Sequence, residues 1–500
     1  PESRDQLAAI ARTLRRSVED LDERWHSSLR DVRRLRQRIF FSPILDVVTH
    51  VPTQSLLTEE AAISRLRALG FDDPRSALGH IQALTAGQSR AVEIQRQLMP
   101  AMLEWFADGP GPDFGLLSFR QLSEALGESS WYLRALRDEG YMAKRLATVA
   151  ATSRYVVALL QRAPQSVSWL ASPEELVTPP VDELVDAMRA AAARQDDVEG
   201  AIGSARAMRR GELTRVALAD VLGEMPDAGR ALSDIAAATV AAGLEIARRD
   251  VDAPEVGVVA LGRWGGGEMS YASDIDCMFV VPDGTDGDGL TAATALVRRL
   301  SEILGRPGPD PALPIDTGLR PEGKDGPQVR TVGSYAAYYA QWAATWERQM
   351  LLRARFGGGA RALVDAVFTD VEDFRYPAGG LTSDQVMEIR RLKSRMEKER
   401  VPRGLDRGRH LKLGPGGLTD IEWTVQLIQL QHAQEHAGLR VTSTMAALEE
   451  SRRLGLIGEE DAEALSEGWR HASALRDAIM LVRGRPSDVL PSDVRELAAI

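Results

Sequence analysis

Residues 274–276 read Asp-Ile-Asp, and two carboxylates spaced i, i+2 are the clearest chemistry in this 500-residue chain. They open the apolar run Cys277-Met278-Phe279-Val280-Val281, which has the length and composition of a buried strand. Alternation along a strand turns i and i+2 to one face, so Asp274 and Asp276 point together while Ile275 enters the core. Carboxylates held side by side repel each other unless a cation lies between them. Ligands made only of oxygen suit Mg²⁺, which is commonly held by one or two carboxylates together with substrate phosphates. Upstream, a second apolar run, Val256 to Leu261, leads into Gly262-Arg263-Trp264-Gly265-Gly266-Gly267. A backbone without Cβ atoms can approach a phosphate closely and aim its N–H groups at it.

A third acid strengthens the reading. Residues 314–321 read Pro-Ile-Asp-Thr-Gly-Leu-Arg-Pro, and Ile315-Asp316-Thr317 is a short strand candidate. If its strand neighbours the one bearing Asp274 and Asp276, three carboxylates share one site. The order of strand, glycine turn, acidic strand, helix and single-acid strand resembles the nucleotidyltransferase fold shared with DNA polymerase β. That resemblance implies metal binding by Asp274, Asp276 and Asp316, with the third acid also acting on the attacking hydroxyl. In two-metal sites one ion activates the nucleophile and the other steadies the leaving oxygen. Arg320, Lys324 and Arg330 follow the third acid. They either neutralise a triphosphate or form an exposed basic loop.

The elements that must position these residues are mostly helical. Apolar positions recur at three- and four-residue spacing in 32–39 and 91–99, and helices are expected at 122–136, 141–162, 183–195, 213–222 and 231–249. Pro52, the segment Ala107 to Asp113 and Pro179-Pro180 interrupt them. The arginines of 33–38 read as a solvated helix face. Strand signals, glycine and proline appear together from 251 to about 335. Pro282 to Gly289 is acidic and glycine-rich but lacks the closing Glu of a calcium loop, and reads as a mobile connection to a helix at 290–304. Beyond 335 the pattern is helical to the end, with breaks at 330–334 and 375–381. The mixed-charge run Arg390 to Arg400 reads as a solvated helix. The expected fold class is mostly α with one α/β nucleotidyltransferase domain, its mixed sheet of the DNA polymerase β kind, between helical domains. The expected division is 1–140 as a helical connecting or regulatory region, 141–250 as a helical subdomain, 251–375 as the nucleotidyltransferase domain and 376–500 as a C-terminal helical bundle.

Composition narrows the partners. Lys plus Arg total 61 against 72 Asp plus Glu, a net charge of −11, which speaks against a dominant nucleic-acid footprint. The single cysteine, Cys277, falls in an apparent buried strand and reads as packing. No run of about 18 apolar residues suggests a membrane span. The charged start without Met lacks a signal core. A cytoplasmic protein that is a fragment of something longer is the expectation.

Four motifs in order sharpen the assignment: 262–276, Asp316 to Pro321, Thr345 to Arg355 and Gly414 to Glu422. Together they resemble the bacterial bifunctional glutamine synthetase adenylyltransferase/adenylyl-removing family, from about Tyr141 to the end and more weakly before it. In that family each of two similar halves carries a nucleotidyltransferase domain. One moves AMP from ATP to a tyrosine of glutamine synthetase, and the other removes it by phosphorolysis. A single signature implies one half, and Gly-Gly-Leu-Thr-Asp-Ile-Glu at 416–422 points to the C-terminal, adenylylating one. The resemblance implies ATP as substrate, Mg²⁺ as cofactor, glutamine synthetase as protein substrate and a nitrogen-signalling regulatory protein as partner, with no nucleic acid and no membrane. It implies nucleotide contacts at Gly265, Gly266, Ser273, Arg320 and Lys324. Glu347, Arg353 and Arg355 either form internal ion pairs or face the nucleotide, Trp346, Met350 and Leu351 read as packing, and Lys412 is a candidate because its segment packs near the active site in the family. His410 reads as structural.

Two rivals remain. The related uridylyltransferase of the nitrogen-signalling trimer should add a hydrolase domain with a His-Asp pair, and no His-Asp dipeptide occurs. A catalytically dead scaffold is opposed by the intact Asp274, Asp276 and Asp316. No Gly-x-Gly-x-x-Gly, Walker lysine or His-Arg-Asp motif supports a kinase.

Overall fold

The structure, a computed structural model, describes residues 59–500 apart from 128, 139, 402 and 403, together with 17, 18, 28, 32 and 35. The arginines of 33–38 and the break at Pro52 lie outside the described residues. The chain divides into two compact units, 1–153 with 160–172, and 154–159 with 173–500.

The first unit is helical throughout its described part. Pro74–Thr85 and Arg90–Ala107 begin on side-chain caps, Asp73 accepting the Ser76 N–H and Ser89 the Val92 N–H. The expected single helix at 122–136 is two, Pro112–Leu126 and Ser130–Asp138, parted at Gly127. The expected helix at 141–162 is likewise two, Gly140–Thr152 and Arg154–Arg162, parted at Ser153.

The second unit holds the sheet. Helices α1 (Val181–Ala193), α2 (Val198–Val221) and α3 (Ala228–Ala247) precede it. Alanine favours α3 by propensity, and small side chains let its neighbours pack closely; fourteen of its residues are buried. Then follow β1 (Gly257–Ala260), the one-turn helix α4 (Gly262–Gly266), β2 (Ile275–Val281), α5 (Gly287–Gly305), β3 (Ile315–Asp316), β4 (Val329–Thr331), α6 (Val332–Gln341), α7 (Thr345–Leu351), β5 (Arg355–Gly359) and α8 (Arg361–Asp370). The strand order is β3-β2-β1-β5, and β4 also pairs with β2. β1 runs antiparallel to both β2 and β5, whereas β3 and β4 run parallel to β2, so the sheet is mixed. The parallel step from β2 to β3 needs a long crossover, which α5 supplies.

Every residue of β1 is buried, and Asp276 alone breaks the buried run of β2. Val259, Met278, Val280, Tyr335, Tyr339 and Val364 meet in one core. The Tyr335 hydroxyl donates to the Phe279 carbonyl at 3.0 Å, so α6 is tied to the sheet by a satisfied polar group.

Two expectations are corrected. Residues 330–334 are a joint from β4 into α6 rather than a break, and Arg355 to Gly359, expected to be helical, is a strand. Helical bundle elements α9 (Ser383–Glu399), α10 (Leu418–His432), α11 (Thr444–Arg453) and α12 (Glu459–Arg483) complete the unit, with Leu418, Ile421, Trp469 and Ala472 in one of its cores. No helix among the described residues is long and apolar enough to cross a membrane.

Trp264 ties α4 to α3. Its indole is fully buried and its Nε1–H donates to the Ser233 carbonyl at 3.1 Å. Trp264→Ala is expected to lose about 3–5 kcal/mol of stability. Trp264→Phe should lose less than that, because the aromatic bulk stays and mainly the hydrogen bond goes. Urea unfolding of the two variants beside the parent checks the ranking.

Candidate active site

The parallel pairing of β2 with β3 brings the acids together. Its register sets Ile275 opposite Ile315 and Asp276 opposite Asp316, and the Ile275 N–H donates to the Pro314 carbonyl at 2.9 Å. Paired residues in a parallel ladder share a face, so Asp276 and Asp316 are neighbours. Asp274 sits one residue before the strand begins, which corrects the expectation that both acids of the pair lie on it. Asp274 and Asp316 are exposed, and Asp276 is half-buried between them and the interior. The Asp316 Oδ1 accepts the Gly318 N–H at 2.6 Å.

Asp276 feels both of the other acids. Burial, then the charges of Asp274 and Asp316, push the Asp276 carboxyl up to about 7, while Lys412 and Arg353 pull against the rise. Among the described residues no three His, Cys, Asp or Glu side chains close into a metal-ligating group. The donor set still fits a hard cation. Its atoms are carboxylate oxygens, those of Asp276 and Asp316 in register on one face, and Mg²⁺ is commonly held by one or two carboxylates with substrate or water completing its shell.

A cleft of about 290 Å³ opens beside Asp276. Its walls come from Gly262 and Arg263 of α4, from Trp346, Gln349, Met350 and Arg353 on and after α7, and from Lys412, Thr419, Glu422, Trp423 and Gln426 around the start of α10. Trp346 and Met350 therefore do more than pack in the core. Leu319, Leu392, Leu418 and Arg400 finish the lining.

Two of the glycines have a packing role within the protein. A Cβ on Gly265 would overlap the Arg353 carbonyl, and one on Gly266 would overlap the Arg353 guanidinium. Gly265 N–H already donates to the Leu261 carbonyl at 2.7 Å. The close approach that these glycines permit is to Arg353, and no phosphate is needed to explain either. Gly262, at the strand-to-helix corner with φ +53°, is the glycine at the site, since a Cβ there would overlap the Asp276 carboxylate.

The other expected nucleotide contacts are also committed internally or lie outside the cleft walls. Ser273 closes a turn, its Oγ accepting the Ser270 N–H at 3.0 Å. Arg320 is buried and donates to the carbonyls of Gly326, Thr317 and Lys324 and to the Thr317 hydroxyl, which makes it the staple of its own loop. Lys324 is exposed on a short turn outside the cleft lining. Arg330 pairs with Glu322 at 2.5 Å.

Of the residues left open on the third motif, Glu347 caps its own helix by accepting the Ala344 N–H at 2.8 Å. Arg355 lies on β5 and donates to the Trp264 carbonyl. Arg353 is 3% exposed and bonds to Glu268 and, at 2.6 Å, to Glu422. His410 is structural, its Nδ1 accepting the N–H groups of Lys412 and Leu413. Cys277 is buried among packing atoms. Sequence reasoning missed Gly262 and Arg263 as site residues; the position of Gly262 directly after an apolar strand was the available signal.

A raised carboxyl has a definite effect on stability. Asp276 favours folding below its unfolded value of about 4, and that contribution is lost as pH rises through about 7. Without divalent cation, Asp276→Asn should therefore gain on the parent between pH 4 and 8. At pH 8 it should be the more stable form by a few kcal/mol, since each tenfold change in proton affinity corresponds to about 1.4 kcal/mol. Urea midpoints at pH 5 and pH 8 in chelator check this; a parent–variant difference that does not move with pH refutes it.

Comparison with known proteins places this geometry. The family model for glutamate-ammonia ligase adenylyltransferase matches residues 143–368, the segment containing the sheet and all three acids. The model for PII-uridylyltransferase matches 388–500, the helices beyond it. The bifunctional glutamine synthetase adenylyltransferase/adenylyl-removing enzyme of Cutibacterium acnes is 52% identical over 505 residues, covering 100% of this chain and 51% of that protein. The enzyme of the same name from Streptomyces coelicolor is 44% identical over 531 residues, with 100% and 53% covered. That from Mycobacterium tuberculosis H37Rv is 44% identical over 486 residues, with 94% and 49% covered. The chain thus spans about half the length of these relatives. With identity of this level along its whole length, the chain belongs to the family of bifunctional glutamine synthetase adenylyltransferase/adenylyl-removing enzymes.

Proposed function

We propose that this chain is the C-terminal, adenylylating half of such an enzyme, with 251–375 as a nucleotidyltransferase domain of the DNA polymerase β kind. It moves AMP from ATP to a tyrosine of glutamine synthetase and so lowers its activity in nitrogen regulation. The observation that carries the reading is the register of Asp276 with Asp316 beside a cleft large enough to admit part of a nucleotide. Asp274, Asp276 and Asp316 would hold Mg²⁺. When bound, Mg²⁺ supplies charge neutralisation at the α-phosphate and a lowered pKa for an oxygen nucleophile.

The residues of the chain divide the remaining work. A tyrosine hydroxyl has a pKa of about 10 and is a poor nucleophile at neutral pH. Asp316 is exposed, where a protein-borne phenol can reach it, and its second oxygen is available to take the proton. The phenolate oxygen bonds to the α-phosphorus, the bond to the β-phosphate oxygen breaks, and pyrophosphate leaves. Trp346, Met350 and Trp423 offer the apolar wall that a purine needs. Half-buried Asp276 stays in place because Gly262 leaves it room. A nitrogen-signalling regulatory protein is the partner that would set the direction of transfer in the whole enzyme.

Incubation with glutamine synthetase, labelled ATP and Mg²⁺ tests the reading. Label should accumulate on the synthetase, and Asp276→Asn or Asp316→Asn should slow transfer more than about 100-fold, beyond the 10–100-fold seen when only a ligand's supporting group is lost. If the chain instead releases ADP from modified synthetase and phosphate, the removing half is the correct assignment. If neither reaction occurs, the proposal is wrong.

A further inference from the structure

The charges lining the cleft do not balance, and the imbalance has a direction. Six charged side chains face it: Asp276 and Glu422 against Arg263, Arg353, Arg400 and Lys412. Arg353 is spent on Glu268 and Glu422, which removes Glu422 from the count. Among the described residues no carboxylate lies within ion-pairing distance of Arg263, Arg400 or Lys412. One acid, Asp276, thus faces three cations without ion pairs.

Arg263 is the most informative of the three. It sits on α4, one residue from the glycine that accommodates Asp276, with its guanidinium 5.3 Å from the Trp469 ring centroid. Burial, then the neighbouring Arg476 and Arg353, push its guanidinium down to about 10. Glu422 and Glu268 pull the other way without ion-pairing to Arg263, and burial with two neighbouring cations outweighs them, an arrangement that disfavours its charge until an anion arrives. Lys412 is held differently. Its backbone is fixed at both ends of the peptide: its N–H meets the His410 Nδ1, and its carbonyl accepts from the Thr419 N–H at 3.0 Å and the Thr419 hydroxyl at 2.8 Å. Its flexible side chain is left to reach into the cleft.

We propose that Arg263 and Lys412 form the subsite for the pyrophosphate portion of the nucleotide, with Arg400 at its rim. The subsite rests on the nucleotidyltransferase reading above and gives it a polarity. The acid side of the cleft holds the reacting phosphate, and the cation side, built jointly by α4 and the loop before α10, holds the group that departs. This replaces Arg320 and Lys324 as the phosphate-binding cations. In the reverse of this transfer the same two cations would receive pyrophosphate.

The test is calorimetric binding to the full 500-residue chain at about 0.15 M salt with Mg²⁺, using ATP, AMP and pyrophosphate as separate probes. A charge-assisted hydrogen bond is worth about 1.5–3 kcal/mol, so Lys412→Gln should weaken ATP and pyrophosphate binding about 10- to 100-fold. AMP binding should stay within about twofold, and Lys412→Arg should restore most of the ATP affinity. Arg263→Gln should act the same way; because Arg263 is packed inside, Arg263→Lys and a thermal melt accompany it. Unchanged ATP affinity in both Gln variants overturns the subsite, as does an equal loss of ATP and AMP. If the parent chain binds pyrophosphate in a Lys412-dependent way but no nucleotide, the subsite stands and the adenylyl-transfer reading falls.

Discussion

Arg353 is the interaction on which the rest of the second unit depends. It follows α7 and precedes β5, and its guanidinium bridges Glu268, just after α4, to Glu422 on α10. Burial opposes its charge, but Glu268 and Glu422 outweigh that opposition and hold the guanidinium protonated above its ordinary range. Glu268 continues the chain of contacts, accepting from the Thr444 N–H at 2.6 Å and from the hydroxyls of Ser443 and Thr444 at the start of α11. One buried cation therefore joins the sheet, the glycine helix and two helices of the bundle. Such a triad adds little to stability, since hydrophobic replacements of buried ion pairs are often neutral or better. Its contribution is geometric: a planar fork with two carboxylates admits few arrangements, and each fixes where α10 stands against β2.

That placement explains the glycine run. Arg353 can lie flat against α4 only because positions 265 and 266 carry no side chains. With α4 and α10 so fixed, Gly262 and Arg263 on one wall face Lys412 and Glu422 on the other, and the cleft between them exists. The two sides differ in solvation. Asp274 and Asp316 stand in solvent, whereas Asp276 is drawn toward the interior, where burial and two like charges raise its carboxyl. An active site needs that tension, because a group already satisfied within the protein has nothing to offer a ligand.

Much of the sheet is legible in the chain. β1 and β2 are apolar runs bounded by glycine and acid, α5 has a plain helical period, and Asp316 stands alone in a short apolar context. β5 is illegible because Arg-Phe-Gly-Gly-Gly has no side-chain pattern for a pleated surface. Its place is set by pairing with β1 and by a bulge between Val258 and Val259. The packing role of Gly265 and Gly266 escapes sequence reasoning for a related reason. A glycine needed for close approach to a phosphate and one needed for close approach to a buried arginine look identical in sequence. Arg320 is similar: its spacing from Asp316 suggests a ligand for phosphate, but a five-donor fork can equally be consumed by four acceptors of its own loop.

The motif Gly414 to Glu422 shows how a segment can be essential to a site without meeting the ligand through its most conspicuous residues. Asp420 accepts the Gly416 N–H at 2.8 Å and pairs with Lys393 of α9, while Glu422 pairs with Arg353. Its two acids thus neutralise protein cations, and a helix start that would otherwise be shut to anions by these carboxylates has little acid left to repel them. Glu422 is held below its ordinary range, burial notwithstanding, because Arg353 and then Arg263 favour its charge. If Arg353 were absent, Glu422, whose charge Arg263 and Lys412 already favour, would be left to pair with them. Pairing Arg353 with Glu422 therefore engages one acid of the cleft, so the interaction that orders the fold also bears on the charge of the cleft.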